Sequence, residues 1–185
     1  MVYVDEHIYG FDLDAALRSI SEQRREQALR YRYELGQRQC VLAYLLLKRA
    51  LHDEYGIDGN PVFSYGEHGK PFLTDYPGIH FSLSHCREAV ACAVSTKPVG
   101  IDVESVREYK EGLARYTMSD DELQQILSAD RPDVAFTRLW TMKEAVLKMS
   151  GTGITNDIKT VLAGVSCQFT VVERLSQGYV YAFTS

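Results

Sequence analysis

Two short segments, 40 residues apart, carry charge where their patterns otherwise predict burial. The first is Gly100-Ile101-Asp102-Val103-Glu104. The second is Trp140-Thr141-Met142-Lys143-Glu144-Ala145-Val146-Leu147-Lys148, which runs into Gly151-Thr152-Gly153. Together they supply the carboxylates of Asp102, Glu104 and Glu144 and the ammonium groups of Lys143 and Lys148. That set is chemically suited to hold a hard divalent cation against a pyrophosphate. Carboxylate oxygens suit Mg²⁺, and ammonium groups offset phosphate charge.

The first segment reads as a strand. Val99, Ile101 and Val103 are strand formers, with Pro98 at the start, where it is tolerated. Side chains alternate along a strand, so the apolar residues share one face while Asp102 and Glu104 neighbour each other on the other. Two carboxylates that close repel unless a positive charge lies between them. The same residues also describe a half-buried strand with a solvated acidic face, which needs no metal. The second segment reads as a helix. Leu139, Met142, Val146 and Met149 form an apolar stripe, Glu144 and Lys148 lie nearly opposite it one turn apart, and Lys143 sits on its flank. The Gly151-Thr152-Gly153 stretch ends the helix. Taken alone, Glu144 and Lys148 also fit an ordinary exposed i, i+4 pair, and Lys143 a solvated flank.

In combination, the two segments resemble the signature of the 4'-phosphopantetheinyl transferase superfamily. The resemblance extends upstream to Gly69-Lys70-Pro71 and to Ile79-His80-Phe81-Ser82-Leu83-Ser84-His85, which match family segments in order and spacing, and it covers roughly residues 66–153. Such enzymes move the phosphopantetheine arm of coenzyme A to a serine of an apo acyl or peptidyl carrier protein and release adenosine 3',5'-bisphosphate. The carrier serves fatty acid, polyketide or nonribosomal peptide biosynthesis. The length is closer to the surfactin-synthetase-activating branch than to the shorter, trimeric holo-acyl-carrier-protein synthase branch. The resemblance therefore implies an α+β fold, a pseudo-dimer of two similar α+β halves with the active site in the cleft between them. Residues 1–95 would be the coenzyme A-binding half, and residues 96–185 the half with the metal site and carrier docking. The chain is short for that branch, so parts of its docking surface could differ.

The resemblance assigns Asp102, Glu104 and Glu144 as ligands of Mg²⁺, with Mn²⁺ as a substitute. It makes Glu144, Lys148 and Asp102 catalytic, with Lys148 against the phosphate next to the pantetheine and Glu144 able to take the serine proton. Lys70, Ser84, His85, Lys143, Lys148 and Arg38 would contact coenzyme A, Arg38 at the 3'-phosphate with Arg30 as its alternative. Residues 110–128 correspond in position to the family's docking region, yet are acidic at Asp120, Asp121 and Glu122, against simple charge matching with an acidic carrier. The other histidines, His7, His52, His68 and His80, carry no motif, and Trp140 reads as packing beside the metal-bearing helix. Two further classes use the same residues: a metal-dependent coenzyme A or nucleotide pyrophosphohydrolase, and a non-catalytic coenzyme A- or carrier-binding domain.

Composition is that of an ordinary globular enzyme: 185 residues, 45% hydrophobic, 24% charged, with a formal net charge of -5. The acidic balance argues against a general nucleic-acid surface. Residues 18–49 nevertheless hold eight Arg or Lys against three acids, a basic segment suited to an anionic ligand or to a solvated helix face. The start is acidic and alternating rather than signal-like, and the longest apolar run, Val41 to Leu47, is too short for a bilayer. The four cysteines, Cys40, Cys86, Cys92 and Cys167, form no Cys-x-x-Cys pair, which points to a reducing compartment and no structural zinc. A cytoplasmic, monomeric protein without membrane contact is expected.

The remaining pattern predicts a strand over 2–9, two short helices capped by Asp12 and Ser21, and a long helix from Tyr33 to Tyr55 ended by Gly56–Pro61. Short strands follow near 62–65, 79–84, 88–95 and 98–104. Helices are expected at 119–129, with a Ser119–Glu122 capping box, and at 132–150. Strands at 165–174 and 178–184 close the chain. A strand–helix–strands order in each half suggests a diverged duplication, although residue identity does not show one.

Overall fold

The computed structural model describes residues 1–153, 158–163 and 167–185. The first half begins with strand β1 (Val2–Asp5), followed by helices α1 (Leu13–Ser19), α2 (Glu22–Leu29) and α3 (Glu34–Tyr55). The Asp12 and Ser21 side chains cap α1 and α2 by accepting from the Ala15 and Arg24 backbone N–H groups. Gly56 ends α3 in a left-handed conformation, as a helix C-terminus favours. A hairpin of β2 (Phe63–Tyr65) and β3 (Pro71–Leu73) and then β4 (His80–His85) and β5 (Val90–Ser95) complete this half. The three-residue β3 is absent from the sequence reading, which is too short a run for alternation to register.

The second half begins with β6 (Gly100–Ser105), followed by helices α4 (Glu111–Thr117), α5 (Asp120–Leu127) and α6 (Pro132–Ser150). A short 3₁₀ turn (Ile158–Thr160), β7 (Phe169–Arg174) and β8 (Tyr179–Thr184) follow. The expected capping box of Ser119 and Glu122 is present, and α6 spans the expected residues. Helix α4 is an addition to the sequence reading. Residues 165–166 of the strand expected at 165–174 lie outside the described residues.

Mixed α+β architecture is confirmed. The two larger sheets have orders β1-β5-β4 and β6-β8-β7, all antiparallel. In each of these sheets one strand precedes helices, two follow them, and the last lies in the middle; the first half adds the β2–β3 hairpin between its helices and β4. The two sheets thus share a strand order.

Strand β5 reads Val-Ala-Cys-Ala-Val-Ser and is buried on both faces. Val90, Cys92 and Val94 face the core formed with α3, whereas Ala91 and Ala93 pack with Ile101, Val103 and Tyr179 of the second half. Small residues on this second face let the halves approach closely. Ser82 and Ser84 share it, being paired in register with Ala93 and Ala91. Their hydroxyls accept the Ile101 and Val103 N–H groups at 3.1 and 3.2 Å. Side chains of β4 thus satisfy backbone donors of β6 that no strand among the described residues pairs with.

Helix α6 lies against β6, and Gly100 makes the contact possible. A Cβ there would fall 1.9 Å from the Ala145 carbonyl oxygen and 2.7 Å from the Met149 nitrogen. Gly100→Ala must push α6 off the sheet. Backbone stands on both sides of the clash, so the cost should reach the upper end of ordinary overpacking, about 3 kcal/mol. Urea denaturation of the purified variant measures it, and a loss below about 1 kcal/mol would contradict this packing.

Candidate active site between the two halves

Strand β6, strand β4 and helix α6 meet where their charged residues converge. Asp102 is only 2% exposed, so the acidic face of β6 is covered rather than solvated. Its Oδ1 accepts from the Ser84 hydroxyl at 2.7 Å and from Lys148 Nζ at 2.6 Å. Lys148 Nζ also donates to Ser84 Oγ at 2.8 Å. The Ser84 hydroxyl therefore has its full complement: it donates once, to Asp102, and accepts twice, from Lys148 and Val103. Lys148 reaches across the seam to Asp102 instead of forming the i, i+4 pair with Glu144.

Among the described residues, the buried Asp102 Oδ2 has no hydrogen-bond partner, a costly arrangement for a carboxylate oxygen. Glu104 and Glu144 are half-buried nearby. Burial first, and then the charge of Asp102, raise both their pKa values, that of Glu104 from the ordinary 4.5 to about 7. The Trp140 indole N–H lies 3.4 Å from Glu104 Oε1 and, with Lys148, partly offsets that rise. Trp140 also stacks on Phe136, which stacks on Tyr109. Its packing thus extends to the carboxylate, beyond the role expected from sequence.

Among the described residues, no three carboxylate, imidazole or thiolate groups converge as a ready-made metal cage. The donor set nevertheless fits a hard divalent cation. It consists of carboxylate oxygens that repel one another, one of them buried and unpartnered, and Mg²⁺ needs few protein ligands because it retains waters.

Beside these groups a cleft of about 290 Å³ opens between the halves. His68, Gly69, Lys70, Phe81 and Ser82 line one wall, and Glu144, Leu147, Lys148, Gly151 and Gly153 the other. Lys70 follows the 66–69 turn, where Gly69 has φ 78°, and donates to the Met149 carbonyl at 2.6 Å at the C-terminal end of α6. Burial lowers its pKa. Gly151, with φ 73°, lets α6 end against the Lys70 stem. His85 ends β4 at a position exposed overall. Burial of the imidazole, then the positive charges of Lys148 and Arg24, hold its pKa below the usual value.

The structure thus brings together Asp102, Glu104, Glu144, Lys148, Ser84, His85 and Lys70. It does not bring Lys143 or Arg38 to them. Lys143 is 0% exposed, and its ammonium group binds Glu122 at 2.9 Å and the Ile158 and Lys159 carbonyls at 2.8 and 3.1 Å. The expected phosphate contact of Lys143 is corrected to a buried brace, because α5 and the 158–160 turn cover the flank of α6 that sequence leaves open. Glu122 also accepts the Ser119 N–H, so one of the acids in the 110–128 stretch is buried rather than facing a carrier.

Arg38 binds Glu34 at 2.7 Å and the Phe11 carbonyl at 2.9 Å, within reach of the Tyr9 and Phe11 rings. It borders a separate hollow with Arg32, Asp12 and Asp14. The arginine whose charge acts on His85 is instead Arg24, buried in α2 and bonded twice to the Cys40 carbonyl. Sequence reasoning missed both Arg24 and His68. The basic 18–49 segment pointed to the region, but only the packing of α2 on α3 selects Arg24 within it.

With this geometry in place, comparison with known proteins identifies the family. A family profile described as the 4'-phosphopantetheinyl transferase superfamily matches residues 98–179. A 4'-phosphopantetheinyl transferase of Bacillus subtilis is 31% identical over 157 residues, covering 83% of this chain and 70% of the relative. The psf-1 4'-phosphopantetheinyl transferase of Bacillus pumilus is 34% identical over 150 residues, covering 80% and 64%. HetI of Nostoc, also a 4'-phosphopantetheinyl transferase, is 32% identical over 145 residues, covering 74% and 61%. The protein belongs to the 4'-phosphopantetheinyl transferase superfamily. The matches span between 61% and 70% of the length of these relatives.

The electrostatics generate a test. Folding raises the Glu104 pKa, so the fold favours its protonated form. The stability tied to that proton is complete below pH 4.5 and is lost as pH rises through about 7. In EDTA, the wild-type melting temperature should fall across this window, and Glu104→Gln should flatten the fall. Thermal melts at stepped pH provide the measurement, and an equally steep fall in the variant would contradict the assignment.

Proposed function

We propose that this protein transfers the 4'-phosphopantetheine arm of coenzyme A to a serine hydroxyl of an apo acyl or peptidyl carrier protein. Adenosine 3',5'-bisphosphate leaves. The carrying observation is the buried Ser84–Asp102–Lys148 contact, with Asp102 Oδ2 unpartnered, beside a cleft shared by both halves. Residues 1–95 and 96–185 are read as the two halves of a single-chain pseudo-dimer, a reading supported by their common strand order. A monomer acting in the cytoplasm accords with this. Among the described residues, no helix is long and apolar enough to cross a membrane.

In the reaction, the serine oxygen forms a bond to the phosphorus that carries the pantetheine. The bond from that phosphorus to the bridging pyrophosphate oxygen breaks, and the electron pair leaves with the adenosine bisphosphate. Asp102, Glu104 and Glu144 would hold Mg²⁺, or Mn²⁺ in its place. Such an ion, when bound, neutralises charge developing on the phosphoryl oxygens. Lys148 adds a positive charge from the cleft wall, where an ammonium offsets phosphate. Lys70 lines the same space, His85 lies within electrostatic reach of Lys148 and Asp102, and the two would bind and orient coenzyme A. Glu144 lines the cleft and has a raised pKa, which suits a carboxylate that accepts the serine proton. The carrier approaches near α4 and α5, where Leu113, Tyr116 and Leu127 are exposed apolar contacts.

Intact-protein mass spectrometry of an apo carrier incubated with this protein, coenzyme A and Mg²⁺ should show a gain of one phosphopantetheine that disappears with EDTA. Asp102→Ala should stay folded and lose at least about a hundredfold in rate, since a metal supplies several kcal/mol of charge stabilisation. Coenzyme A consumed without any carrier gaining mass would instead establish a pyrophosphohydrolase. Neither gain nor consumption across unrelated carriers would indicate a binding domain.

A further inference from the structure

Lys148 is placed to serve two partners in turn. Its ammonium nitrogen lies 2.6 Å from Asp102 Oδ1 and 2.8 Å from Ser84 Oγ, yet its side chain is 31% exposed while that of Asp102 is 3% exposed. The stem rises from the last turn of α6 along the cleft wall that includes Leu147, Gly151 and Gly153. Asp102 is fixed at the seam, whereas Lys148 is a long flexible side chain with open space beside it. The Asp102 carboxylate offers only one further oxygen, Oδ2, and that oxygen has no partner among the described residues.

A divalent cation drawn to Oδ2 would stand a few ångströms from the ammonium already seated on Oδ1. Like charges that close, in a partly desolvated site, repel strongly. The two cations therefore compete for one carboxylate.

We propose that Lys148 is a resident counter-ion of Asp102 that a divalent metal displaces into the cleft, where its freed ammonium becomes the receptor for the coenzyme A pyrophosphate. This rests on the metal-binding part of the reading above. Its consequence is an order of assembly: metal first, phosphate second, with each tightening the other because both bind the arrangement in which Lys148 has left Asp102. The Ser84 hydroxyl makes the exchange possible. It keeps its bonds to Asp102 and to the Val103 N–H when Lys148 departs, so the seam is not opened.

Two measurements on the full chain, both without a carrier, test the exchange. In the first, metal-stripped protein is pulsed with an acetylating reagent, and the modification of Lys148 is read by peptide mass spectrometry. Addition of Mg²⁺ alone should raise Lys148 acetylation several-fold, and subsequent coenzyme A should suppress it. Lys70, held by the Met149 carbonyl, should not respond to Mg²⁺ alone. Lys148 labelling that stays constant or falls on Mg²⁺ addition overturns the proposal.

In the second, Mn²⁺ binding is measured by calorimetry. Lys148→Met should bind Mn²⁺ at least about fivefold more tightly than wild type and lose the mutual tightening between Mn²⁺ and coenzyme A. That factor lies within the usual range of coupling between sites. Lys70→Met removes a charge from the same cleft without touching Asp102 and should leave Mn²⁺ affinity near that of wild type. Equal tightening in both variants would reveal a general charge effect and overturn the direct exchange. Wild-type protein that binds no Mn²⁺ at all would sink the metal reading itself. Binding without release of Lys148 would sink only this inference.

Discussion

The Ser84 hydroxyl is the atom group on which the site depends. It lies where two three-stranded sheets meet without sharing a backbone ladder. It takes the Val103 N–H of the second half, gives its proton to Asp102, and accepts from Lys148 of α6. A hydroxyl has one proton and two lone pairs, so this position uses all it has. Strand β4, strand β6 and helix α6 are thereby held in one geometry. Around that point the chain uses its smallest residues, Ala91, Ala93 and Gly100, to let backbone approach backbone. A larger side chain at any of them would separate the elements that carry the charges.

Electrostatic tension follows from that closeness. Burial, and then the charge of Asp102, makes Glu104 and Glu144 harder to ionise, and Lys148 relieves only part of the repulsion. Sites that store unfavourable charge in this way are poised to accept a compensating ligand. The buried Lys143–Glu122 pair on the far flank of α6 plays the opposite part. Its ammonium has three partners and no exposure, so it ties α5 and the 158–160 turn to α6. One helix thus carries a satisfied lysine on one side and an exchangeable one on the other.

Much of this was legible in the sequence, for identifiable reasons. The alternation of Ile101, Asp102, Val103 and Glu104 fixed which side chains share a face. Local capping chemistry located α1, α2 and α5, and the glycine at 151 located the end of α6. These features depend on neighbours within a few residues. What escaped depends on distant packing. Lys143 looked solvated because the segments that cover it lie well apart from it in the chain. Arg38 looked like a phosphate ligand because nothing local announces that Glu34 and the Phe11 carbonyl engage it. Glu122 was read as a capping residue, which it is, but its second partner is not visible from its own helix. The strand order shared by the two larger sheets is a feature of topology, which no local residue pattern announces.

On the proposed reading, a divalent metal and the coenzyme A pyrophosphate meet at the seam between the halves. The most direct measurement is a crystal structure with coenzyme A and Mn²⁺, using anomalous scattering to locate the metal. The account predicts a manganese peak bounded by Asp102, Glu104 and Glu144, with pyrophosphate density between it and Lys148 in the cleft bordered by Lys70. Manganese elsewhere on the protein, or coenzyme A lodged in the hollow beside Arg38 with the seam untouched, would contradict it.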